Sequence, residues 1–295
     1  MLSLPYRGRF APSPTGPLHL GSMLAAFGSW LLARHAHGQW LVRIEDVDPP
    51  REVPGAAEQQ LATLAAFGLH SDEAVQYQSR RHALYRVASK RLLAQGKAFH
   101  CHCSRADLTS QHGIHRHCAA SQQRVHPAIR LRVTDDSHVI FNDTLQGPIA
   151  QDVDRDVGDF VLLRADGCWA YQLAVVVDDA EQRISHVVRG ADLVDSTPRQ
   201  ILLQQALGVT TPHYLHLPLL LGTDGHKLSK SLAAMPVDAG APLPVLRWLW
   251  AALGQAPATL DAATTVAELL QHAVAGFEPG RLQKESRIVA GSPPA

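Results

Sequence analysis

The chain has 295 residues, 46% of them hydrophobic and 18% charged, with 27 Lys plus Arg against 27 Asp plus Glu. This composition excludes a disordered or low-complexity chain, and the length suits one large or two modest domains. Zero net charge excludes a global basic field, so any polyanion must be held by local clusters. The longest apolar runs, AVVV and LPLLL, are too short to span a bilayer, and MLSLPYRGRF lacks a signal-peptide core. A cytoplasmic protein with no membrane partner is expected.

Residues 6–11 (YRGRFA) read as a short strand that enters the stretch PSPTGPLHLGS. Leu20, Leu24, Phe27, Leu31 and Leu32 then recur at helical spacing, which predicts a helix from near Leu18 to Gly38. WLVRIEDVD follows as a second strand. Strand, loop, helix and strand in this order form a βαβ unit of a parallel sheet, with the Pro/Gly loop at the carboxyl end of a strand, where such sheets bind ligands.

Helical periodicity returns over 56–68 and 80–96, each ending on a glycine. IRLRV, HVIFND and DFVLLRADG read as strands, and the run YQLAVVVDD, closed by Asp178 and Asp179, reads as a buried parallel strand. The two aspartates fit either a nucleotide-positioning role, directly or through Mg²⁺, or capping of the next element. PVLRWLWAALG and TTVAELLQHAVAGF are helical, and ESRIVAGSPPA is expected to fray.

A Pro/Gly loop feeding a helix amino terminus offers free N–H groups and a positive dipole end to an anion, with His19 in the first turn. The loop alone fits a plain strand-to-helix turn equally well. It gains a partner in His226-Lys227-Leu228-Ser229-Lys230-Ser231, where two lysines on a loop after Gly222 and Gly225 can neutralise a polyphosphate.

These two motifs resemble the HIGH and KMSKS signatures of class I aminoacyl-tRNA synthetases. RFAPSPTGPLHLGS, LVRIEDVDPPR, YQLAVVVDD and VRGADL resemble the glutamyl branch of that family, and the likeness runs from residue 5 to about 235. One departure is Ser22, which replaces the last histidine of HIGH. The resemblance implies catalytic roles for His19, Lys227 and Lys230, and an ATP site over Pro14, Thr15, Gly16, His19, Gly21, Ser22, Lys227, Ser229 and Lys230, with Mg²⁺ accompanying ATP. A dicarboxylate requires cationic partners and its ammonium group an acidic one, which Arg9, Arg189 and Glu45 can supply. The family likeness adds Ala11, Ser13 and Tyr171 to that glutamate pocket.

Cys101-His102-Cys103, followed by His112, His115, His117 and Cys118, concentrates thiols and imidazoles at a density suited to tetrahedral Zn²⁺. Similar small glutamyl-type proteins hold zinc with Cys-x-Cys, a tyrosine and a later cysteine. That likeness implies the set Cys101, Cys103, His115 and Cys118, with His115 in the tyrosine's place and His117 competing for it. No water-activating glutamate stands nearby, so the expected role is structural. Cys168, in DGCW, reads as a packed thiol.

The fold expected is α/β, a Rossmann-type parallel sheet carrying both signatures. Residues 1–98 and 169–235 would form its two halves, 99–168 a zinc-bearing insertion, and 236–295 a helical stem-contact region without an anticodon module. About 60 residues follow KLSKS, fewer than an anticodon-binding domain needs. Truncated members of this branch attach glutamate to the queuosine base in the anticodon loop of tRNA(Asp). The expected partners are therefore ATP, L-glutamate and queuosine-bearing tRNA(Asp), with the chain a monomer. Charging of tRNA(Glu) by a shortened synthetase is the alternative. A silent tRNA-binding zinc module would not need His19, Lys227 and Lys230, and another HIGH-type nucleotidyl transferase would not need Arg9, Glu45 and Arg189.

Overall fold

The computed structural model describes residues 5–221, 236–284 and 287–288. The first part of the chain runs β1 (Arg7–Phe10), α1 (Leu20–His35), β2 (Gln39–Ile44), α2 (Ala56–Ala66), β3 (Gln76–Tyr77) and α3 (His82–Ala94). It continues through β4 (Ala98–Cys101), β5 (Ala128–Leu131), β6 (His138–Asp143), β7 (Gly147–Asp152), α4 (Val153–Asp156) and β8 (Val161–Leu163). Then come α5 (Tyr171–Glu181), β9 (His186–Gly190), α6 (Thr197–Leu207), β10 (His213–Leu217), β11 (Leu220–Leu221), α7 (Pro242–Ala252), α8 (Val266–Gly276) and β12 (Arg287–Ile288).

The expected βαβ unit is present. β1 and β2 pair in parallel, Arg9 opposite Leu41, and β2 pairs in parallel with β3. β9 and β10 form a second parallel ladder, and β9 lies beside β1, where the Ser185 N–H donates to the Arg7 carbonyl at 3.0 Å. The carboxyl ends of β1, β2 and β9 therefore open on one side, and the catalytic-looking side chains come from those ends.

α1 crosses this sheet with buried residues on all its faces, including Leu20, Met23, Phe27, Trp30 and Leu31. Such a helix must be covered on both sides. β1, β2 and β9 cover one flank, and α7 and α8 the other. Leu246, Leu249 and Trp250 of α7 and Leu269 of α8 join α1 and Trp40 in one core. Burying a Leu or Phe side chain contributes about 1.5–3 kcal/mol, so α7 and α8 belong to the scaffold that holds α1. Gly28 lets α1 pack tightly against β10, since a Cβ there would stand 2.7 Å from Leu217 Cδ1.

A second, antiparallel sheet has the order β4-β5-β8, and β6 and β7 form an antiparallel hairpin turned by Gly147 at φ 89°. No described helix is long and apolar enough to cross a membrane.

Three expectations change. The run Tyr171–Asp179 is not a strand but the helix α5, which packs against α3, α6 and β8. Leu173, Ala174, Val175, Val176 and Val177 are all buried, so no polar face reveals the 3.6-residue period, and an apolar run of that length reads alike as buried strand or buried helix. The last segment, expected to fray, places Arg287–Ile288 in parallel pairing with Leu220–Leu221. His19, expected in the first turn, is instead the residue that caps α1.

Candidate active site and metal centre

The loop between β1 and α1 is held by its neighbours before any ligand arrives. The Glu45 N–H donates to the Pro12 carbonyl and the Val53 N–H to the Pro14 carbonyl, both at 2.9 Å. Gln60 of α2, almost fully buried, donates from Nε2 to the carbonyls of Ser13 and Gly16, at 3.0 and 2.7 Å. Gly16 takes φ 145°, where a side chain is strained, so glycine is required there by the backbone. The loop delivers the chain to His19, whose Nδ1 accepts from the Ser22 N–H at 3.3 Å as the cap of α1. The remaining N–H groups of the first turn and the positive dipole end lie at the same place.

This loop is one wall of a cleft of about 860 Å³. Of the residues singled out in the sequence, Arg9, Ala11, Ser13, Glu45, Tyr171 and Arg189 line it, as do Pro14, Thr15, Gly16, His19 and Ser22. Gly21 lines a smaller adjoining hollow with His19, Gly190 and Leu220. Lys227, Ser229 and Lys230 lie outside the described residues. On either side of that stretch, Leu220 lines the same hollow as His19, and Pro236 forms a β-bridge to His19.

The charged groups of the cleft are braced from behind. Arg43, next to last in β2 and fully buried, donates to Asp179 Oδ1 at 2.8 Å, to Glu45 Oε1 at 3.4 Å and to Gln182 Oε1 at 2.7 Å. Arg9 Nε reaches Asp179 Oδ1 at 3.2 Å. Burial opposes the Asp179 charge, but Arg9 and Arg43 outweigh it and hold this carboxyl below the ordinary aspartate range. For Glu45 burial wins over Arg43 and Arg9, and its pKa is raised. Glu45 thus faces the cleft as a carboxyl whose charge burial opposes more than Arg43 and Arg9 support it.

On the opposite wall Arg189 donates from Nη1 to the Tyr171 hydroxyl at 3.1 Å, from Nη2 to Thr197 Oγ1 at 2.9 Å and from Nε to His216 Nε2 at 3.1 Å. Asp178 and Asp179, in the last turns of α5, are committed to protein partners: Asp178 accepts from Arg81 Nε at 2.6 Å, the Tyr85 hydroxyl at 2.6 Å and Gln78 Nε2 at 2.8 Å. Arg43, Gln60 and His216 are functional positions that no motif in the sequence marks. An arginine inside the apolar run of β2 was the one visible signal among them, since a buried charge has to be paired.

The second constellation stands at the end of β4. Ligand atoms of Cys101, Cys103 and His115 all lie within 4.8 Å of one another, and the three residues are buried. His115 Nδ1 meets Asp159 Oδ2 at 2.9 Å; the carboxylate only accepts, so the proton sits on Nδ1 and Nε2 keeps its lone pair, 3.3 Å from Cys101 Sγ. Carboxylate support of this kind orients metal-binding imidazoles. Arg130 Nε donates to Cys101 Sγ at 3.3 Å. Burial pushes the Cys103 thiol up to about 11. Cys118 is exposed, with Sγ 3.7 Å from Cys103 Sγ, and is not one of the three mutually close groups; His117 is exposed as well. Two sulfurs and an imidazole nitrogen suit a soft divalent ion, so this group can hold a metal. Cys168 is half-buried in the turn at Gly167.

Between the two constellations runs a groove of about 900 Å³ with Arg51, Arg105, Arg124, Arg130 and Arg164 in its walls. Arg51 and Arg164 also line the cleft, so groove and cleft adjoin.

The profile of the family "tRNA synthetases class I (E and Q), catalytic domain" matches residues 6–241. A protein of Xanthomonas campestris pv. campestris named glutamyl-Q tRNA(Asp) synthetase is 65% identical over 292 residues, covering 99% of this chain and 98% of its own. One of the same name from Neisseria meningitidis serogroup C is 50% identical over 295 residues, covering 95% and 98%. The crystal structure of a glutamate tRNA ligase from Elizabethkingia meningosepticum, in complex with its amino acid, superposes with a TM-score of 0.81 at 26% identity, covering 97% of this chain and 67% of that one.

Proposed function

This chain belongs to the class I tRNA synthetases of the E and Q family, and from that premise we propose that it activates L-glutamate with ATP, without need of tRNA, and transfers the glutamyl group to the queuosine base in the anticodon loop of tRNA(Asp). The observation that carries this reading is the single cleft in which Arg9, Glu45, Tyr171 and Arg189 face the Pro/Gly loop and the amino end of α1. The names of relatives at 50% to 65% identity support the choice of acceptor.

In this reading Arg9 and Arg189 take the carboxylates of glutamate, with Ala11, Ser13 and the Tyr171 hydroxyl completing the pocket. Glu45 takes the ammonium group, which lowers its raised pKa by supplying the missing positive charge. The triphosphate lies along Pro14, Thr15 and Gly16 toward His19, Gly21 and Ser22, where the free N–H groups of α1 meet its charge. The glutamate α-carboxylate oxygen attacks the α-phosphorus, an acyl–phosphate anhydride bond forms, and pyrophosphate leaves. His19 and the cations Lys227 and Lys230, with Ser229, stabilise the charge that builds on the phosphate oxygens. Magnesium bound with ATP supplies further positive charge to the leaving pyrophosphate. A hydroxyl of the queuosine cyclopentene-diol then attacks the activated carbonyl and AMP leaves.

We assign the catalytic unit to residues 1–98 and 169–235, a zinc-bearing insertion to 99–168 and a helical RNA-facing region to 236–295. Cys101, Cys103 and His115, with Cys118 brought in from beside Cys103, would hold Zn²⁺. The ion would supply a structural cross-link between β4 and the loop after it.

ATP–pyrophosphate exchange with glutamate and no tRNA is the first test, followed by transfer of labelled glutamate to tRNA(Asp) with and without queuosine. Exchange, and transfer only to the queuosine-bearing tRNA, are expected. Absence of exchange overturns the enzyme reading, and transfer to tRNA(Glu) alone overturns the acceptor.

A further inference from the structure

Arg189, on β9, meets one backbone group, the Leu193 carbonyl at 3.4 Å from Nη2, and its other hydrogen bonds go to the side chains of Tyr171, Thr197 and His216. Its Nε–H can only donate, so His216 Nε2, at 3.1 Å, must be the acceptor. The imidazole proton therefore sits on Nδ1, which lies 2.6 Å from Asp143 Oδ2. His216 is fully buried and Asp143 is 1% exposed. Asp143 is fixed in turn: its Oδ1 accepts the N–H groups of Leu145 at 3.0 Å, Gln146 at 2.8 Å and His216 at 3.3 Å. The Tyr214 ring lies under the guanidinium, 5.5 Å from its carbon.

We propose that Asp143 and His216 are positioning residues for substrate: the Asp143 carboxylate fixes the His216 tautomer, and His216 Nε2 aims the Arg189 guanidinium at a carboxylate of glutamate. This rests on the reading that Arg189 binds glutamate. The chain passes from the end of β6 through β10 to β9, so the hairpin β6-β7 acts on the cleft without reaching it.

The charge of Asp143 matters, not only its shape. An asparagine there presents an N–H to Nδ1, which moves the proton to Nε2 and sets an N–H against the Arg189 Nε–H. His216→Leu removes the acceptor altogether, whereas His216→Gln replaces Nε2 with an amide oxygen.

The test is ATP–pyrophosphate exchange, with KM for glutamate, KM for ATP and kcat measured separately. Asp143→Asn and His216→Leu are expected to raise KM for glutamate roughly tenfold or more, since small misplacements of a binding group are costly, with KM for ATP little changed. His216→Gln is expected to recover most of the loss. Equal rises in both KM values, equal losses in His216→Leu and His216→Gln, or no change in folded His216→Leu overturn the proposal. Arg189→Met is the control: if it leaves KM for glutamate unchanged, the pocket reading itself fails; if it raises KM while the other two variants do not, only the positioning role fails. Independently of any variant, nitrogen NMR of the intact protein must show His216 neutral with its proton on Nδ1, and a proton on Nε2 overturns the proposal.

Discussion

At the scale of single residues, the cleft sets two buried carboxylates against each other. Asp179 lies between Arg9 and Arg43 and has its pKa lowered; Glu45 lies at the edge of the same cluster and has its pKa raised by burial. Their effects on stability have opposite signs. Asp179 contributes stability that is complete above the ordinary value of about 3.9 and is lost as pH falls through its lower folded value. Glu45 costs stability above its raised folded value, and that cost disappears below the ordinary value of about 4.3. Asp179→Asn leaves two buried guanidinium groups short of an anion and is expected to cost about 3–5 kcal/mol, read by denaturant unfolding, with the acid limb of the stability profile flattened. For Glu45 the useful measurement is kinetic. As pH falls through its raised pKa, the carboxylate that would hold the glutamate ammonium is lost, so KM for glutamate should climb on the acid side. Glu45→Gln should show a high KM at every pH, and an unchanged acid limb in that variant would assign the titration to another group.

Elements divide sharply in how far the sequence discloses them. β1, α1 and β2 were legible because α1 is long, its apolar residues keep helical spacing, and the flanking strands are bounded by Pro and Gly. α5 was not, because a helix buried on every side has no polar stripe to give its period away. The misreading matters for the site: as a helix, the stretch turns Asp178 and Asp179 toward different partners, and Asp179 becomes the anchor of Arg9. Arg43, Gln60 and His216 stayed hidden because their roles depend on contacts with distant strands and helices that spacing cannot reveal. The Cys and His cluster was legible as composition, while the Asp159 support of His115 comes from 44 residues away. Another such support is Gly158, which bridges to His115 at φ 66°, where an added Cβ would stand only 2.4 Å from the His115 carbonyl oxygen. Gly158→Ala combines an unfavourable φ with a backbone clash, so it should cost more than about 1 kcal/mol. It should also weaken metal binding by about 10- to 100-fold, measured by competition with a chelator. Unchanged metal affinity in the folded variant would show that the β-bridge does not position His115.

On the scale of the whole molecule, zero net charge and binding of a polyanion are reconciled by distribution. The arginines at 51, 105, 124, 130 and 164 border one groove that adjoins the cleft lined by Arg9 and Arg189 and reaches Cys103. Not all are equally available to phosphate. Arg51 and Arg164 both pair with Asp48, and Arg130 donates to the Asp159 carbonyl and faces Cys101, whereas Arg105 and Arg124 stand exposed at the rim. An RNA loop lying in this groove would exchange few counterions, at about 0.7 per phosphate contacted for a single strand. The affinity for RNA should therefore fall with salt only gently, on a log–log slope of about −2 to −4. Arg105→Ala with Arg124→Ala should reduce that slope by between about 1 and 2 and slow transfer of glutamate to RNA, while leaving ATP–pyrophosphate exchange intact, because neither residue borders the cleft. A filter-binding titration at several salt concentrations, run beside the exchange assay, separates the two functions. If the double variant keeps the parental slope, the RNA lies elsewhere on the surface; if exchange falls with transfer, Arg105 and Arg124 act on the cleft through the residues that groove and cleft share.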